Sequence, residues 1–177
     1  MEALDTVAAR VVGTARARFR VRRAALFWRE AGGDVLTCIA TAGEGGVEGW
    51  VGRTLPAGVG MAGRAVAEGR PVWTADLLAN ARVPLAPWLR ERLEAEGLHA
   101  VAAAPLTAEG PALGALGLLD GAGRAYDEEG LCQLGRFAAG YAPSRSRWST
   151  RSIVAIGTSC PAERVRFAVS QRALKRR

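Results

Sequence analysis

Apolar positions recur at helical spacing near the start of the chain and then change to short runs of strand length. Spacing of i, i+3, i+4 and i+7 is shared by Leu4, Val7, Ala8, Val11, Val12 and Ala15. This pattern predicts an amphipathic helix over 3–18. The runs RRAALFWRE (22–30) and DVLTCIATA (34–42) favour strands, and the AGG between them predicts a hairpin.

The middle of the chain predicts two helices separated by a brief strand. A short helix is expected near 59–68, where Gly69 would cap its end and Pro71 would prevent its continuation. VWTA at 72–75 predicts the strand. Within 82–97 a buried stripe is predicted for Leu85, Trp88, Leu89 and Leu93.

The last third of the apolar pattern predicts a second hairpin and a closing helix. The runs at 98–106 and 112–121 are almost continuously apolar, as is typical of central strands. Asp127 is placed to N-cap the helix that follows. Its buried stripe is predicted to be Leu131, Leu134, Phe137 and Ala138. Hairpins combined with helices predict an α+β fold with an antiparallel sheet.

Charge divides the 177 residues into two regions. Residues 1–140 hold 15 Arg and 16 acidic residues, a net charge of −1, whereas residues 141–177 hold 9 basic residues and one acid, a net charge of +8. Three interpretations of this Arg/Ser-rich tail stay open: a non-native or disordered extension, a segment that binds partners or packs on the domain, and a nucleic-acid-binding arm. Nucleic acid is the less expected partner, because the tail lacks a recognisable DNA-binding motif.

Cysteine and histidine usage argues against several classes of site. Cys38, Cys132 and Cys160 form no close pair, so neither a disulfide framework nor a metal knuckle is expected. The single histidine, His99, excludes a site built from two histidines. We expect no cofactor and no metal. No apolar run reaches the roughly 18–20 residues that span a bilayer, and acids stand where a signal peptide has bases, so a cytoplasmic protein without membrane association is predicted.

The stretch LPAGVGMAGRAVAEGRPVWTADL (55–77) contains Gly58-x-Gly60-x-x-Gly63, the letters of a dinucleotide-binding turn. Pro56 does not suit a central strand running into that turn, and the following helix has room for only about three turns. We therefore interpret Gly60 and Gly63 as positions where a helix approaches the sheet closely.

The same stretch resembles the central signature of GAF domains. LHAVAAAPLTAEGPALGALGLLDG (98–121) resembles that family's paired core strands, and RAYDEEGLCQLGRFAAG (124–140) resembles the start of its last helix. The resemblance is closest to sensory modules of bacterial histidine kinases and related signalling proteins. It implies a PAS-related, six-stranded antiparallel sheet with helices on both faces, a GAF domain over 1–140 and a separate tail over 141–177.

The resemblance further implies a non-catalytic sensory domain in signal transduction. It would bind an unknown small-molecule ligand and act on an output kinase or other signalling domain in trans, through terminal helices that form a homodimer. The alternative is a ligand-free dimerisation or docking module. Mapped from the family, the pocket candidates are Phe27, Cys38, Met61, Arg64, Trp73, Asp76, Trp88, Ala104 and Leu116.

Five of these candidates also have a structural interpretation. Trp73 and Trp88 suit core or loop anchors, and Asp76 suits a loop cap. Arg64 suits a solvated ion pair, and Met61 suits a gap filler. Free-methionine sulfoxide reductases share this fold but use converging cysteines, and this chain has none between Cys38 and Cys132. A catalytic function is therefore not expected.

Overall fold

A computed structural model of the chain describes residues 4–30, 33–107 and 110–141. These residues form four helices and six strands in mixed order. The elements are α1 (Leu4–Phe19), β1 (Arg23–Arg29), β2 (Val35–Gly43), β3 (Thr54–Pro56), α2 (Gly60–Glu68), β4 (Val72–Thr74), α3 (Pro87–Glu96), β5 (Ala100–Leu106), β6 (Gly114–Asp120) and α4 (Glu128–Gly140). The tail beyond residue 141, with its three interpretations, lies outside the described residues.

The six strands form one sheet in the order β3-β2-β1-β6-β5-β4. Every neighbouring pair is antiparallel. The predicted hairpins are β1–β2 and β5–β6, and the two join where β1 pairs with β6 at the centre of the sheet. The short strands β3 and β4 close the two edges, and Pro56 stands at an edge, where its missing N–H is tolerated. The α+β prediction with a six-stranded antiparallel sheet is confirmed.

Helices cover both faces of the sheet because successive strand residues point to opposite sides. Val101 and Ala103 pack beneath α2 and α3, on what we term the α2–α3 face. Ala102 and Ala104 pack beneath α1 and α4, on the α1–α4 face. The β5 strand is buried along its whole length, as expected for a central strand covered on both sides.

The helix boundaries follow local chemistry. Asp127 caps α4 as predicted, since its carboxylate accepts a 2.7 Å hydrogen bond from the Gly130 N–H. Gly69 ends α2 in the left-handed conformation, with φ of 66°, also as predicted. The helix expected within 82–97 begins only at Pro87, because proline suits the first helical position.

The close approach expected of the α2 glycines is real at Gly63. A Cβ there would lie 2.9 Å from the Pro56 carbonyl oxygen at the end of β3 and 3.0 Å from the Gly58 nitrogen. The crowding is therefore against an edge strand and its turn rather than against the central strands. No described helix has the length and apolarity that crossing a membrane would require.

Candidate functional site

Four of the predicted pocket residues lie together on the α2–α3 face. Phe27, Cys38 and Met61 are only 3%, 0% and 2% exposed and belong to one buried cluster. Trp88 is half-buried at the rim of this cluster, and its indole N–H donates a 2.9 Å hydrogen bond to the Thr54 carbonyl. The structure therefore brings these four residues together, and three of them fill the interior of the cluster.

Three other predicted residues face the opposite side of the sheet. Ala104 and Leu116 are paired across β5 and β6 and are buried against α1 and α4. Trp73 also packs on that face, where its ring lies 6.1 Å from the Tyr126 ring. The structure therefore does not bring these three residues together with Phe27, because a shift of one residue along a strand moves a side chain to the other face.

Arg64 lies on the solvent side of α2 and forms an ion pair with Glu68 one turn later. The hydrogen bond from Arg64 lowers the pKa of the Glu68 carboxyl more than its partial desolvation raises it. Exposed pairs at this spacing contribute little to stability. The contacts are those of a surface ion pair.

Asp76 organises the loop after β4. One carboxylate oxygen accepts hydrogen bonds from the Leu78 and Ala79 N–H groups, at 3.0 and 3.2 Å. The other lies 3.3 Å from His99 Nδ1, without the alignment of a hydrogen bond. Partial desolvation raises the pKa of Asp76. The Ala79 N–H, His99 and the Leu78 N–H together lower this pKa by more, so the net shift is downward. The Asp76 side chain is thus a loop cap, as its structural interpretation predicts.

The two described cysteines cannot act together. Cys38 is wholly buried on the α2–α3 face, and burial raises the pKa of its thiol to about 12 despite the nearby Arg23 charge. Cys132 is exposed on α4, which covers the opposite face. A thiolate is the reactive form of cysteine, so Cys38 is held in an inert state.

The most polar feature of the α2–α3 face is a buried network centred on Arg23, which the sequence reasoning missed. Arg23 is 1% exposed. Its Nε donates to Glu96 Oε2 at 2.7 Å and its Nη1 donates to Thr41 Oγ1 at 3.1 Å. Its Nη2 donates to the carbonyls of Glu44 and Gly46, at 2.7 and 2.9 Å. We term Arg23, Thr41, Trp50 and Glu96 the Arg23 network.

Trp50 joins this network from the loop between β2 and β3. Its side chain is 0% exposed, and its indole N–H donates to Glu96 Oε1 at 2.7 Å. The guanidinium carbon of Arg23 lies 5.0 Å from the centre of the Trp50 indole. The Trp88 ring meets the Trp50 ring edge-on, with 5.9 Å between the ring centres. A tryptophan inside the glycine-rich segment 43–52 was the one available sequence signal, because large aromatic residues in such loops usually need an anchor.

The α1–α4 face carries a different feature, a groove between the two terminal helices. Its volume is about 880 Å³. The groove is lined by Thr14, Arg18, Glu129, Gln133, Arg136, Phe137, Gly140 and Tyr141. Phe19 and Phe137 meet edge-on at 5.6 Å and hold the helices together. Among the described residues, the α2–α3 face therefore carries a buried polar network and the α1–α4 face carries a groove.

Comparison with known families decides the membership of the chain. The sequence model that describes the GAF domain matches residues 3–142. The chain belongs to the GAF family. The predicted resemblance is confirmed over the whole region with described secondary structure. No curated protein matched the chain.

Several solved structures share this GAF fold. The GAF domain of a phosphoenolpyruvate-protein phosphotransferase from Coxiella burnetii is 22% identical, with 80% of this chain and 82% of that chain covered and a TM-score of 0.67. A domain of a putative two-component sensor histidine kinase from Sinorhizobium meliloti is 16% identical, with 80% and 90% covered and a TM-score of 0.58. Free methionine-R-sulfoxide reductase from Neisseria meningitidis is 19% identical, with 76% and 72% covered and a TM-score of 0.60. At these identities, the structural similarity shows that the fold is shared and shows no more than the fold. Sensory proteins and an enzyme both have this fold.

Proposed function

We propose that this GAF domain is a non-catalytic sensory and regulatory module. It would take a small ligand on the α2–α3 face and pass the resulting change to α1 and α4. The Arg23 network is the observation that carries the proposal. A buried ion pair adds little stability compared with apolar packing, so charges inside an apolar cluster suggest a recognition role.

The placement of the cysteines supports the non-catalytic part of the proposal. Cys38 is buried with a raised thiol pKa, and Cys132 is on the opposite side of the sheet. Two thiols on opposite faces cannot exchange electrons through a shared substrate. Of the three cysteines of the chain, the two that the structure describes are thus not arranged for a shared thiol reaction, which supports a non-catalytic function.

A chain of contacts supports the output part. The Arg22 guanidinium donates to the Glu96 and Gly97 carbonyls at the end of α3, at 2.9 and 3.2 Å. Arg16 near the end of α1 donates to the Arg22 carbonyl at 3.3 Å. A movement of Glu96 is thereby linked to the end of α1. We propose that the terminal helices form the homodimer, that an output kinase or other signalling domain in trans reads it, and that the protein works in the cytoplasm.

Native mass spectrometry of the full 177-residue chain, purified directly from cells, tests the proposal. We expect a small molecule of defined mass that is lost on denaturation. Arg23→Met should abolish its retention, whereas Arg64→Met, which breaks only the surface pair with Glu68, should leave it unchanged. Failure to retain or titrate any ligand with the wild-type chain would contradict the sensor proposal.

A second candidate function is a ligand-free dimerisation or docking module. The near-complete burial of Phe27, Cys38 and Met61 favours it, because these side chains leave each other little uncovered surface. Sedimentation equilibrium separates the candidates. A dimer whose affinity does not change when small molecules are added or removed, combined with an empty native mass spectrum, supports docking. A dimer affinity that follows ligand concentration supports sensing.

A further inference from the structure

The loop that carries Trp50 is rich in glycine. It comprises residues 44–53 between β2 and β3, and we term it the Trp50 loop. Gly45, Gly46, Gly49 and Gly52 have φ between 79° and 86°, the left-handed region that glycine alone adopts without strain. These glycines lie on both sides of Trp50. The loop therefore has backbone pivots before and after the one large side chain that it buries.

Arg23 holds the first part of this loop. The carbonyls of Glu44 and Gly46 both accept from Arg23 Nη2. The later part is tied to β2, where Gly52 N–H donates to the Cys38 carbonyl at 2.8 Å. Release of Trp50 would thus open the loop from its first half while the second half stays attached.

The position that Trp50 fills has the chemistry of a ligand site. A carboxylate oxygen of Glu96 accepts the indole N–H, the Arg23 guanidinium lies against the ring, and Trp88 meets its edge. The second Glu96 oxygen is bonded to Arg23, so the acceptor is fixed in direction. This arrangement selects a flat aromatic ring with one N–H donor, since guanidinium–aromatic contacts and a charge-assisted hydrogen bond both recognise such a group.

We propose that Trp50 is a built-in occupant of a binding site for a planar N–H heteroaromatic compound of indole size, and that such a ligand releases the Trp50 loop by taking its place. The inference rests on the proposed sensory function and specifies how its closed site opens. The internal occupant competes with the ligand. The apparent affinity of the wild-type chain therefore equals the affinity of the open state multiplied by the fraction of molecules in which the loop is open.

Calorimetric titration of the full chain with indole tests the proposal. Trp50→Ala removes the occupant and should bind indole at least about 10-fold more tightly than the wild type, as expected for a minor open state. Trp73→Ala is the matched control, because it removes a half-buried tryptophan on the α1–α4 face, away from Trp50. It should bind indole like the wild type. Adding Glu96→Gln to Trp50→Ala should weaken the gained affinity.

A second variant keeps the test decisive if Trp50→Ala does not fold. Trp50→Phe retains an aromatic ring but cannot donate to Glu96, so indole should bind it several-fold more tightly than the wild type. Hydrogen exchange should then rise in residues 44–53 when indole is added. A folded Trp50 variant that binds indole no better than the wild type would overturn the proposal. A Trp73→Ala variant that gains as much affinity for indole as the Trp50 variants would also overturn it.

The two proposals can fail separately. If purified wild-type protein retains a ligand but the Trp50 variants gain no affinity for indole, the sensor proposal stands and the internal occupant is wrong. If the variants gain affinity but no cellular ligand is retained or titrated, the site exists and the sensory function is wrong.

Discussion

Replacing Glu96 by leucine should destabilise the domain far more than its position near the end of a helix suggests. Glu96 accepts hydrogen bonds from Arg23 and Trp50, whose side chains are 1% and 0% exposed. Leucine leaves the guanidinium one bond short and the indole N–H without its acceptor. Because the variant leaves an uncompensated buried charge, about 3–5 kcal/mol is the relevant range.

The lower end of that range is expected here. The Glu96 side chain is 20% exposed, so water can enter and partly replace the lost carboxylate. Arg23 also keeps its bonds to Thr41 and to the two loop carbonyls. We therefore expect a loss of about 3 kcal/mol for Glu96→Leu. Glu96→Gln keeps an acceptor but not the charge, and should cost about half as much.

Urea unfolding followed by circular dichroism measures these values, with stability obtained by linear extrapolation. Glu94→Leu is the matched control on the same helix. Glu94 is 58% exposed, and its carboxylate lies 3.8 Å from the Arg90 guanidinium, which is a long distance for an ion pair. Its loss should therefore cost no more than about 0.5 kcal/mol. Equal effects of Glu96→Leu and Glu94→Leu would refute the reasoning, because the buried network would then contribute nothing beyond a surface pair.

Three further predictions concern other parts of the chain. The thiol pKa of Cys38 is about 12, so the wild-type domain should become less stable relative to Cys38→Ala as the pH rises above about 8.5, where the thiol of the unfolded chain ionises. A thiol reagent added to the native protein should label Cys132 and spare Cys38. Arg20→Gly should stabilise the domain by about 1 kcal/mol and raise its melting temperature, because Arg20 has a φ of 51°, which costs free energy for a residue with a side chain. An unchanged or lower midpoint in a thermal melt would contradict this. Gly63→Ala should cost about 1–3 kcal/mol in urea unfolding, because its Cβ would stand 2.9 Å from the Pro56 oxygen.

Local patterns were sufficient to predict most of the elements, whereas the six-stranded sheet with helices on both faces was implied by the resemblance to GAF domains. Helix α1, the two hairpins and the caps at Asp127 and Gly69 follow from spacing and from single-residue chemistry, which act within a few positions of the chain. The start of α3 was less predictable, because Leu85 packs on the same cluster as the helix although it lies before Pro87. Apolar periodicity reports burial, and burial continues past the end of a helix.

The site was harder to predict, for two physical reasons. The assignment of Ala104 and Leu116 to the pocket depended on which side of the sheet each one faces, and a strand that is apolar on both sides carries no signal of that phase. The Arg23 network joins residues 23, 41, 50 and 96, and no local pattern links positions so far apart. Arginine at the start of a strand ordinarily indicates an edge in contact with water, which is the opposite of what the fold does with Arg23.

A double replacement separates a structural role of the network from a recognition role. If Arg23 and Glu96 only held the Trp50 loop in place, apolar residues of similar volume could do the same, because replacing a buried pair completely is often neutral or stabilising. A chain selected only for stability would therefore gain by losing both charges. The network also leaves its cation bonded to carbonyls of a glycine-hinged loop, which apolar packing would not need. If Arg23→Met combined with Glu96→Leu keeps the stability of the wild type in urea unfolding but no longer retains a ligand, the network serves recognition. Loss of stability in the double variant would instead assign the network a structural role.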